Sequence, residues 1–258
     1  MQFRPCIDIH NGKVKQIVGG SLLDKGAYAK ENFISNYGGG YYASLYKEKG
    51  LTGGHIIILN KMGTSYYEAD VAQAKEALFS YPGGLMIGGG INADNAYAFL
   101  EAGASHVIVT SYVFRDGQVQ YDNLNRLVDT VGKERLVLDL SCRKRGDDYY
   151  IVTDRWQKFT RVKLTIETLK ELSSYCDEFL IHAVDVEGQA RGIEKELVAL
   201  LAKADVCPIT YAGGVGSLKD VRLLKELGRD RMDVTIGSAL DLFGGALSFD
   251  EVLKVCAE

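Results

Sequence analysis

Long apolar runs are missing from this chain of 258 residues. No stretch approaches the roughly 20 consecutive apolar residues of a membrane-spanning helix, so we expect no membrane partner. The N-terminal segment MQFRPCIDIHNGK leads directly into an apolar strand pattern. It has neither the apolar core of a signal peptide nor the Arg-rich pattern of a transit peptide. These absences predict a cytoplasmic protein.

An excess of basic residues is also missing, since 30 Lys and Arg face 34 Asp and Glu and no basic run occurs. Proteins that bind nucleic acids usually carry a basic patch, so nucleic acid is not expected as a partner. The five cysteines are odd in number and scattered, without the spacing of metal ligands. This pattern is typical of reduced, mostly buried cysteines in a cytoplasmic protein.

Short aliphatic and β-branched runs alternate with longer amphipathic stretches along the chain. The apolar spacing within 68–81 predicts a helix. One helix is predicted to begin after an N-cap at Asn92 and to end at Gly103. Another is predicted to begin after an N-cap at Ser217 and to end at Gly228. Eight such units predict an α/β fold, a (β/α)8 TIM barrel rather than an open doubly wound sheet. The strands are predicted at 3–8, 55–59, 84–88, 106–110, 135–140, 178–183, 208–212 and 233–237.

The sequence repeats itself after about half its length. RPCIDI is echoed by RLVLDLSC, IGGGIN by YAGGVG, and VIVTSY by DVTIGSAL. Each half has a strand-end Asp, then a Gly-Gly pair, then a Ser. This order predicts one barrel domain, 1–258, built from two similar half-barrels at about 1–125 and 126–258. The alternative is that Gly-rich loops recur in any α/β protein.

Each half carries its Gly-Gly pair and a hydroxyl residue at predicted strand ends, on the rim where barrel enzymes place their active sites. Glycines let backbone N–H groups approach a phosphate closely, and the helix N-termini that follow add partial positive charge. The two sets face each other in a ring of eight strands. They predict an elongated small-molecule substrate with a phosphate at each end. The residues are Gly89, Gly90, Thr110 and Ser111 in one half and Gly213, Gly214, Gly237 and Ser238 in the other.

Two aspartates complete the predicted site. Asp8 and Asp139 end the predicted first and fifth strands, which also face each other across the ring. A substrate held at both ends would place its middle between these carboxyl groups, which suits removal of one proton and donation of another. No Ser–His–Asp, Cys–His or metal-ligand pattern competes with this pair. The alternative is that both carboxylates only cap helices or pair with Lys.

A family resemblance supports this interpretation. PCIDIHNGKVKQIVGG, MIGGGIN, HVIVTS, LVLDLS, DRWQ, LIHAVDVEGQARG, ITYAGGVGS and VTIGSAL together resemble the phosphoribosylformimino-aminoimidazole carboxamide ribotide isomerases of histidine biosynthesis, in particular the fungal and plant branch. The resemblance implies an Amadori rearrangement of a bisphosphorylated aminoaldose to an aminoketose, without metal or other cofactor. It also implies that Asp139 donates the proton that opens the ribose ring and that Asp8 removes the C2 proton.

The resemblance implies substrate contacts for four further residues. Trp156, the only tryptophan, lies in the segment that closes over the substrate in this family, although packing under a long loop is the alternative. Arg155 beside it is expected to contact a phosphate or the carboxamide. His182 ends the sixth strand, where bacterial relatives place a Thr near the sugar, and His10 follows Asp8 by two positions. Each histidine either orients the substrate or has only a structural role.

Departures from the family pattern and other functions leave alternatives open. Asn92 stands where an Arg is common, and Asn60 where acidic residues are common. The cyclase subunit of imidazole glycerol phosphate synthase is a sister barrel, but its family usually has a Lys after the first strand and lacks DRWQ. A non-catalytic barrel that binds a phosphorylated metabolite is the second alternative, and the paired carboxylates argue against it. We expect a monomer, with a mobile hairpin near 143–160.

Overall fold

The computed structural model describes residues 1–17, 31–154 and 156–258. Its strands are β1 (Cys6–His10), β2 (Lys13–Ile17), β3 (Glu31–Ile34), β4 (Gly54–Ile58), β5 (Leu85–Gly88), β6 (Val107–Val109), β7 (Phe114–Arg115), β8 (Gln118–Val119), β9 (Leu136–Asp139), β10 (Cys142–Arg145), β11 (Asp148–Thr153), β12 (Lys158–Lys163), β13 (Glu178–His182), β14 (Ile209–Ala212) and β15 (Met232–Thr235). The α-helices are α1 (Gly39–Glu48), α2 (Tyr67–Ser80), α3 (Ala96–Glu101), α4 (Tyr121–Val131), α5 (Ile166–Leu172), α6 (Lys195–Leu201), α7 (Leu218–Leu227) and α8 (Phe249–Ala257).

Eight parallel strands among the described residues form a closed ring. Their order is β1, β4, β5, β6, β9, β13, β14 and β15, with neighbours hydrogen-bonded to each other. The ring closes beside β1, where Phe3 bridges Val234 and the Arg4 N–H donates to the Val234 carbonyl at 2.8 Å. The predicted (β/α)8 barrel is therefore confirmed, and every predicted strand overlaps an observed one. The division into one domain of two half-barrels stays a prediction.

Apolar residues lie on both faces of the barrel strands. Inside the barrel, Met86, Ile108, Val137 and Leu180 pack as one cluster, with Ile57 against it. The outward residues of the same strands pack against the surrounding helices in a second, larger core. Burial on both faces explains why these strands are nearly continuous apolar runs. Because the interior is filled below, the free space of the barrel lies at its C-terminal rim.

Helix boundaries agree with most of the predicted ends. Helix α2 covers the segment predicted at 68–81. The Ser217 hydroxyl caps α7 by accepting the Asp220 N–H at 3.2 Å, and Gly228 is the C-cap of the same helix. Gly103 follows the end of α3 with a φ of 107°. Among the described residues, no helix is both long and apolar enough to cross a membrane.

The predicted N-cap at Asn92 is wrong. Its side-chain oxygen accepts the N–H groups of Asp94 at 2.8 Å and Asn95 at 3.3 Å, which forms a turn ahead of the helix. Asn and Asp side chains often bind nearby backbone groups in this way, in competition with helix formation. Helix α3 therefore begins only at Ala96.

A small antiparallel sheet follows the fifth barrel strand. Strands β10, β11 and β12 pair in that order, so the hairpin predicted near 143–160 is extended by a third strand. Arg143 Nε donates to Asp185 Oδ1 at 2.8 Å, which ties β10 to the loop after β13. The segment between β11 and β12 carries Trp156 to the rim. Movement of this sheet stays a prediction.

Candidate active site

A cavity of about 360 Å³ lies at the C-terminal rim of the barrel. Its volume is within the usual range of small-molecule sites, and Ile57 and Ile108 from the interior cluster lie at its base. Most of the predicted site residues line this one cavity: Asp8, Gly89, Gly90, Thr110, Ser111, Asp139, Trp156, His182, Gly213, Gly214, Gly237 and Ser238.

Two predicted site residues are not placed in the cavity. Arg155 lies outside the described residues. His10 ends β1 but is only 1% exposed, and it is not among the residues that line the cavity. It pairs with Lys13 beside the turn that folds β2 back on β1. This position favours a structural role for His10.

Asp8 lies on β1 and faces the cavity. Its Oδ2 accepts a hydrogen bond from Gln16 Nε2 at 3.2 Å. Burial and the nearby carboxyl group of Glu187 raise the pKa of Asp8 to about 7, although the charge of His182 and the Gln16 hydrogen bond oppose this. Asp8 therefore exchanges its proton near neutral pH, as a general acid or base must.

Glu187 was missed at the sequence level. It lies in the loop after β13, lines the same cavity, and its buried Oε2 has no hydrogen-bond partner among the described residues. Burial raises the pKa of Glu187, while the charge of His182 lowers it. Its position five residues after the strand-end His182, in the DVEG segment, was the available signal.

Asp139 ends β9 on the opposite side of the cavity. Its Oδ1 accepts the Ser141 N–H at 2.9 Å and the Ser141 hydroxyl at 2.7 Å, and its Oδ2 accepts the Thr110 hydroxyl at 3.1 Å. Burial alone would raise the pKa of Asp139, but the charge of His182 and these hydrogen bonds together lower it. Asp139 is therefore a carboxylate at neutral pH. The Thr110 hydroxyl, predicted to bind phosphate, is already donated to it.

His182 ends β13 beside Asp139. Its Nδ1 lies 3.4 Å from Asp139 Oδ1 and 3.3 Å from the Ser141 hydroxyl. Burial would lower the pKa of His182, but the Asp139 carboxylate, with Glu187 and Asp8 further away, raises it to about 9. The two residues therefore form an imidazolium–carboxylate pair at neutral pH.

Trp156 extends over this pair rather than packing under a loop. Its ring lies 5.5 Å from the His182 ring, and its indole N–H donates to the Ser141 hydroxyl at 2.9 Å. The backbone of Trp156 has a φ of 68°, a left-handed conformation that is rare for a bulky side chain. Such conformations are concentrated at functional sites, where the surrounding structure compensates for the strain.

The two glycine loops approach neighbouring strands in the same way. A Cβ atom on Gly89 would lie 2.1 Å from the carbonyl oxygen of Ile58, and one on Gly213 would lie 2.8 Å from that of Ala183. Both glycines also have a positive φ, 99° and 121°. These positions therefore require glycine twice over, once for the backbone conformation and once for the close approach.

Comparison with known proteins agrees with this geometry. Residues 2–247 match the family model described as Histidine biosynthesis protein. The chain belongs to this family. A chloroplastic protein of Medicago truncatula, named 1-(5-phosphoribosyl)-5-((5-phosphoribosylamino)methylideneamino)imidazole-4-carboxamide isomerase HISN3, is 54% identical over 257 residues, which are 98% of this chain and 81% of the relative. Isomerases from Yarrowia lipolytica and Saccharomyces cerevisiae that carry the same isomerase name are each 46% identical to this chain. Each match covers 95% of this chain, together with 93% of the Yarrowia protein and 94% of the Saccharomyces protein.

A second cavity of about 730 Å³ adjoins the glycine loop of Gly89 and Gly90 in this member of the histidine biosynthesis family. Gly90 and Ser111 line both cavities. Arg115 and Lys158 line the second one, near Asn92, which stands where the family usually has an Arg. Both are paired with acidic residues of the same cavity, Arg115 with Asp116 and Lys158 with Asp154. Neither side chain was predicted from the sequence, because β7 and β12 bring them to this loop from distant parts of the chain.

Proposed function

We propose that this chain is the isomerase of histidine biosynthesis that converts the bisphosphorylated phosphoribosylformimino-aminoimidazole carboxamide ribotide from an aminoaldose to an aminoketose. Relatives 46–54% identical over nearly the whole chain carry the name of that isomerase. They do not favour the cyclase subunit or a non-catalytic barrel. The observation that carries the proposal is that Asp8 and Asp139, from opposite barrel strands, line one cavity.

The two glycine loops are proposed to hold the two phosphates. Gly89 and Gly90 follow β5, whereas Gly213 and Gly214 follow β14, which lies opposite in the ring. All four glycines line the cavity that the loops share. A ligand that spans these loops has its middle near the carboxyl groups of Asp8 and Asp139, where the reacting carbon atoms must lie.

Asp8 is proposed as the base of the reaction. A carboxyl group with a pKa near neutral pH is ionised in much of the population and still returns a proton readily. It removes the proton from C2 of the open-chain imine, and the electron pair of that bond forms the C1–C2 double bond of an enolamine. Protonation of C1 and loss of the C2 hydroxyl proton then give the ketone.

The test is isomerisation of the synthetic aminoaldose by the purified full-length protein, followed by NMR of the sugar carbons. We expect turnover that survives a metal chelator and falls by at least about 100-fold in Asp8→Asn. Asp205→Asn is the matched control, because Asp205 is 87% exposed and pairs with Arg231 on the surface. A parallel reaction with the aminoketose, ammonia and a glutaminase partner detects cyclisation. Cyclisation without isomerisation would contradict the proposal.

Location, partners and oligomeric state are part of the same proposal. All five cysteines are free thiols, which supports a reducing compartment such as the cytoplasm. We propose a monomer that acts on a small molecule, without nucleic acid or membrane partners. Light scattering after gel filtration tests the monomer, and a fluorescent fusion in the source cells tests the location. Because the Medicago relative is named chloroplastic, plastid fluorescence is the outcome that would contradict a cytoplasmic enzyme.

A further inference from the structure

The two carboxyl groups of the site are held in different ways. Asp139 accepts hydrogen bonds from the Ser141 N–H, the Ser141 hydroxyl and the Thr110 hydroxyl. From the described residues Asp8 accepts only one, at Oδ2, from Gln16 Nε2 at 3.2 Å. Its other oxygen, Oδ1, accepts none from those residues, although Asp8 lines the cavity. A single amide therefore fixes how the Asp8 carboxyl group is turned.

Gln16 lies on β2 and is only 4% exposed, yet it lines the same cavity as Asp8. The pairing of β2 with β1 ends at Ile9 and Val14, and beyond this point β2 pairs with β3. The register of β2 and β3 shifts between Gln16 and Ile17. Such irregularities re-aim a side chain out of the regular alternation and are frequent next to active sites. The backbone of β2 is thus irregular at the residue that contacts Asp8.

The other end of the Gln16 amide lies against the loop after β15. A Cβ atom on Gly237 would lie 2.2 Å from Gln16 Oε1 and 3.2 Å from its Cδ. Because the amide nitrogen is the end that donates to the Asp8 carboxylate, the oxygen is the end that faces Gly237. The backbone of Gly237 does not have the positive φ of Gly89 and Gly213. What glycine provides at this position is room for the Gln16 side chain.

We infer that Gln16 is the positioning residue of the proposed base. Its amide holds Asp8 Oδ2 and leaves Oδ1 free for the substrate, and Gly237 provides the space that the amide needs. The inference rests on the proposed function and leaves the roles of the two aspartates unchanged. It gives Gly237 a role besides the phosphate contact that the sequence predicts.

The amide also determines which oxygen of Asp8 carries the proton during the reaction. An amide N–H group only donates, so Oδ2 stays an acceptor throughout and the proton taken from C2 binds to Oδ1. The electron pair of the C2–H bond forms the C1–C2 double bond. The protonated Oδ1 still faces the substrate and is in place to return the proton to C1. Without the amide either oxygen could take the proton, and the carboxyl group could turn away from the substrate.

Titratable groups from several elements lie near Asp8. Burial raises the pKa of Asp8 most, and Glu187 from the loop after β13 raises it further. His182 at the end of β13 and the amide of β2 lower it, and the resulting pKa is about 7. Cys6 on β1 and Tyr46 on α1 stay neutral at this pH, because burial raises the pKa of both well above the ordinary value. Loss of the amide hydrogen bond should therefore raise the pKa of Asp8.

The first experiment replaces Gln16 by Met, which has a similar length but no N–H group. In Gln16→Met we expect kcat to fall by about 10-fold or more, because the base is no longer held in position, with KM changed much less. The rising limb of kcat/KM should move above pH 7, because the hydrogen bond that lowers the pKa of Asp8 is lost. A change that only loosened the packing would let water reach Asp8, lower its pKa and move the limb the other way.

Gln73 provides the matched control. Its Nε2 donates to Glu76 Oε2 at 3.2 Å, the same distance as in the bond to Asp8, but at an exposed position on α2. Its Oε1 accepts the Gly39 N–H at 2.9 Å, so Gln73→Met also reports the effect of a general loss of stability. We expect Gln73→Met to leave the pH profile unchanged.

Gly237→Ala tests the same contact from the other side. The added Cβ meets the end of a flexible side chain and displaces the Gln16 amide. The rising limb should move in the same direction as in Gln16→Met, and it should move no further when both changes are combined, because they act on one contact. Gly237→Ala leaves Gln16 in the chain, so it replaces Gln16→Met if thermal melts show that the latter does not fold.

An independent measurement needs no turnover. Carbon-13 NMR of the aspartate carboxyl groups should find one signal that is absent from Asp8→Asn and has a pKa near 7. This pKa should be higher in Gln16→Met and unchanged in Gln73→Met. If the pKa and the rate limb stay in place or move lower in Gln16→Met, the inference is wrong. Wild-type protein that does not isomerise would refute the proposed function instead, and the titration would still test the contact between Gln16 and Asp8.

Discussion

Trp156 and Ser141 are joined by a hydrogen bond from the indole N–H to the hydroxyl, 2.9 Å long, and this bond links the rim segment to the proposed acid–base pair. The Ser141 hydroxyl in turn donates to Asp139 Oδ1 at 2.7 Å. The sole tryptophan is thus connected to the Asp139 carboxylate in the candidate active site through a single serine side chain.

Removing the indole N–H should slow the reaction. In Trp156→Phe the Ser141 hydroxyl loses its donor and is free to turn away from Asp139, so we expect kcat to fall by about 10-fold, the value of one hydrogen bond. Tyr150→Phe is the control, because it removes a hydroxyl from the same small sheet outside the cavity. Steady-state kinetics measure the effect. Equal rates for the two variants would show that the serine contact has no part in turnover.

The acid limb of the pH profile should depend on Glu187. Burial and the nearby charge of Glu187 together raise the pKa of Asp8 to about 7. In Glu187→Gln that repulsion is lost and the pKa of Asp8 falls. The base is then ionised at lower pH, and the rising limb of kcat/KM moves below 7. Glu196→Gln, a change at a surface residue paired with Lys144, should leave the limb in place. A limb that stays near 7 in Glu187→Gln would exclude the proposed coupling.

Alanine at either rim glycine should weaken substrate binding. Gly89→Ala and Gly213→Ala force a Cβ to within 2.1 Å and 2.8 Å of a backbone oxygen, so each loop must shift. We expect KM to rise by about 10-fold or more, because about 1.4 kcal/mol of lost phosphate binding already has that effect. Gly50→Ala is the control, since Gly50 has a φ of 68° but open space around it. A raised KM in only one rim variant would mean that the loops do not bind equivalent groups.

Barrel closure should depend on Arg4 and Asp233. Arg4 Nε donates to Asp233 Oδ2 at 2.8 Å, which joins the segment before β1 to β15 in a partly buried pair. Asp233→Asn should lower the free energy of unfolding in urea by about 1–3 kcal/mol, because a charged hydrogen bond is lost. The exposed pair of Arg231 and Asp205 serves as control, and Asp205→Asn should change stability by less than about 0.5 kcal/mol. If Asp233→Asn and Asp205→Asn lower the free energy of unfolding equally, the barrel is closed by backbone pairing of the strands and not by this ion pair.

The barrel and the main site residues could be predicted because their signals are local. A buried parallel strand is a short apolar run, and a helix has its own periodicity. A glycine pair after a strand indicates a loop whose backbone lies close to a neighbouring strand or to a ligand. Asp8 and Asp139 lie on strands four places apart in the barrel order, so the strand count alone predicts that they face each other. The helix start predicted after Asn92 was wrong, because the Asn92 side chain accepts the N–H groups of a turn that precedes the helix, and the sequence pattern of such a turn is the same as that of an N-cap.

Contacts between distant side chains could not be predicted in this way. Ser141 lies two positions from Asp139, but its role depends on Trp156, which a separate sheet brings back to the rim. Glu187 affects Asp8 only because the closed barrel brings the loop after β13 near β1. Neither relation has a characteristic spacing, since the chain between the partners varies in length and path.

The sequence by itself determined the eight-strand barrel, the two facing glycine loops and the two aspartates on opposite strands, because these follow from apolar periodicity and strand order. The tertiary structure decided which carboxyl group holds a proton. A pKa depends on burial and on charges a few ångströms away, so the two similar aspartates became different only when folding placed Glu187 near one and His182 beside the other.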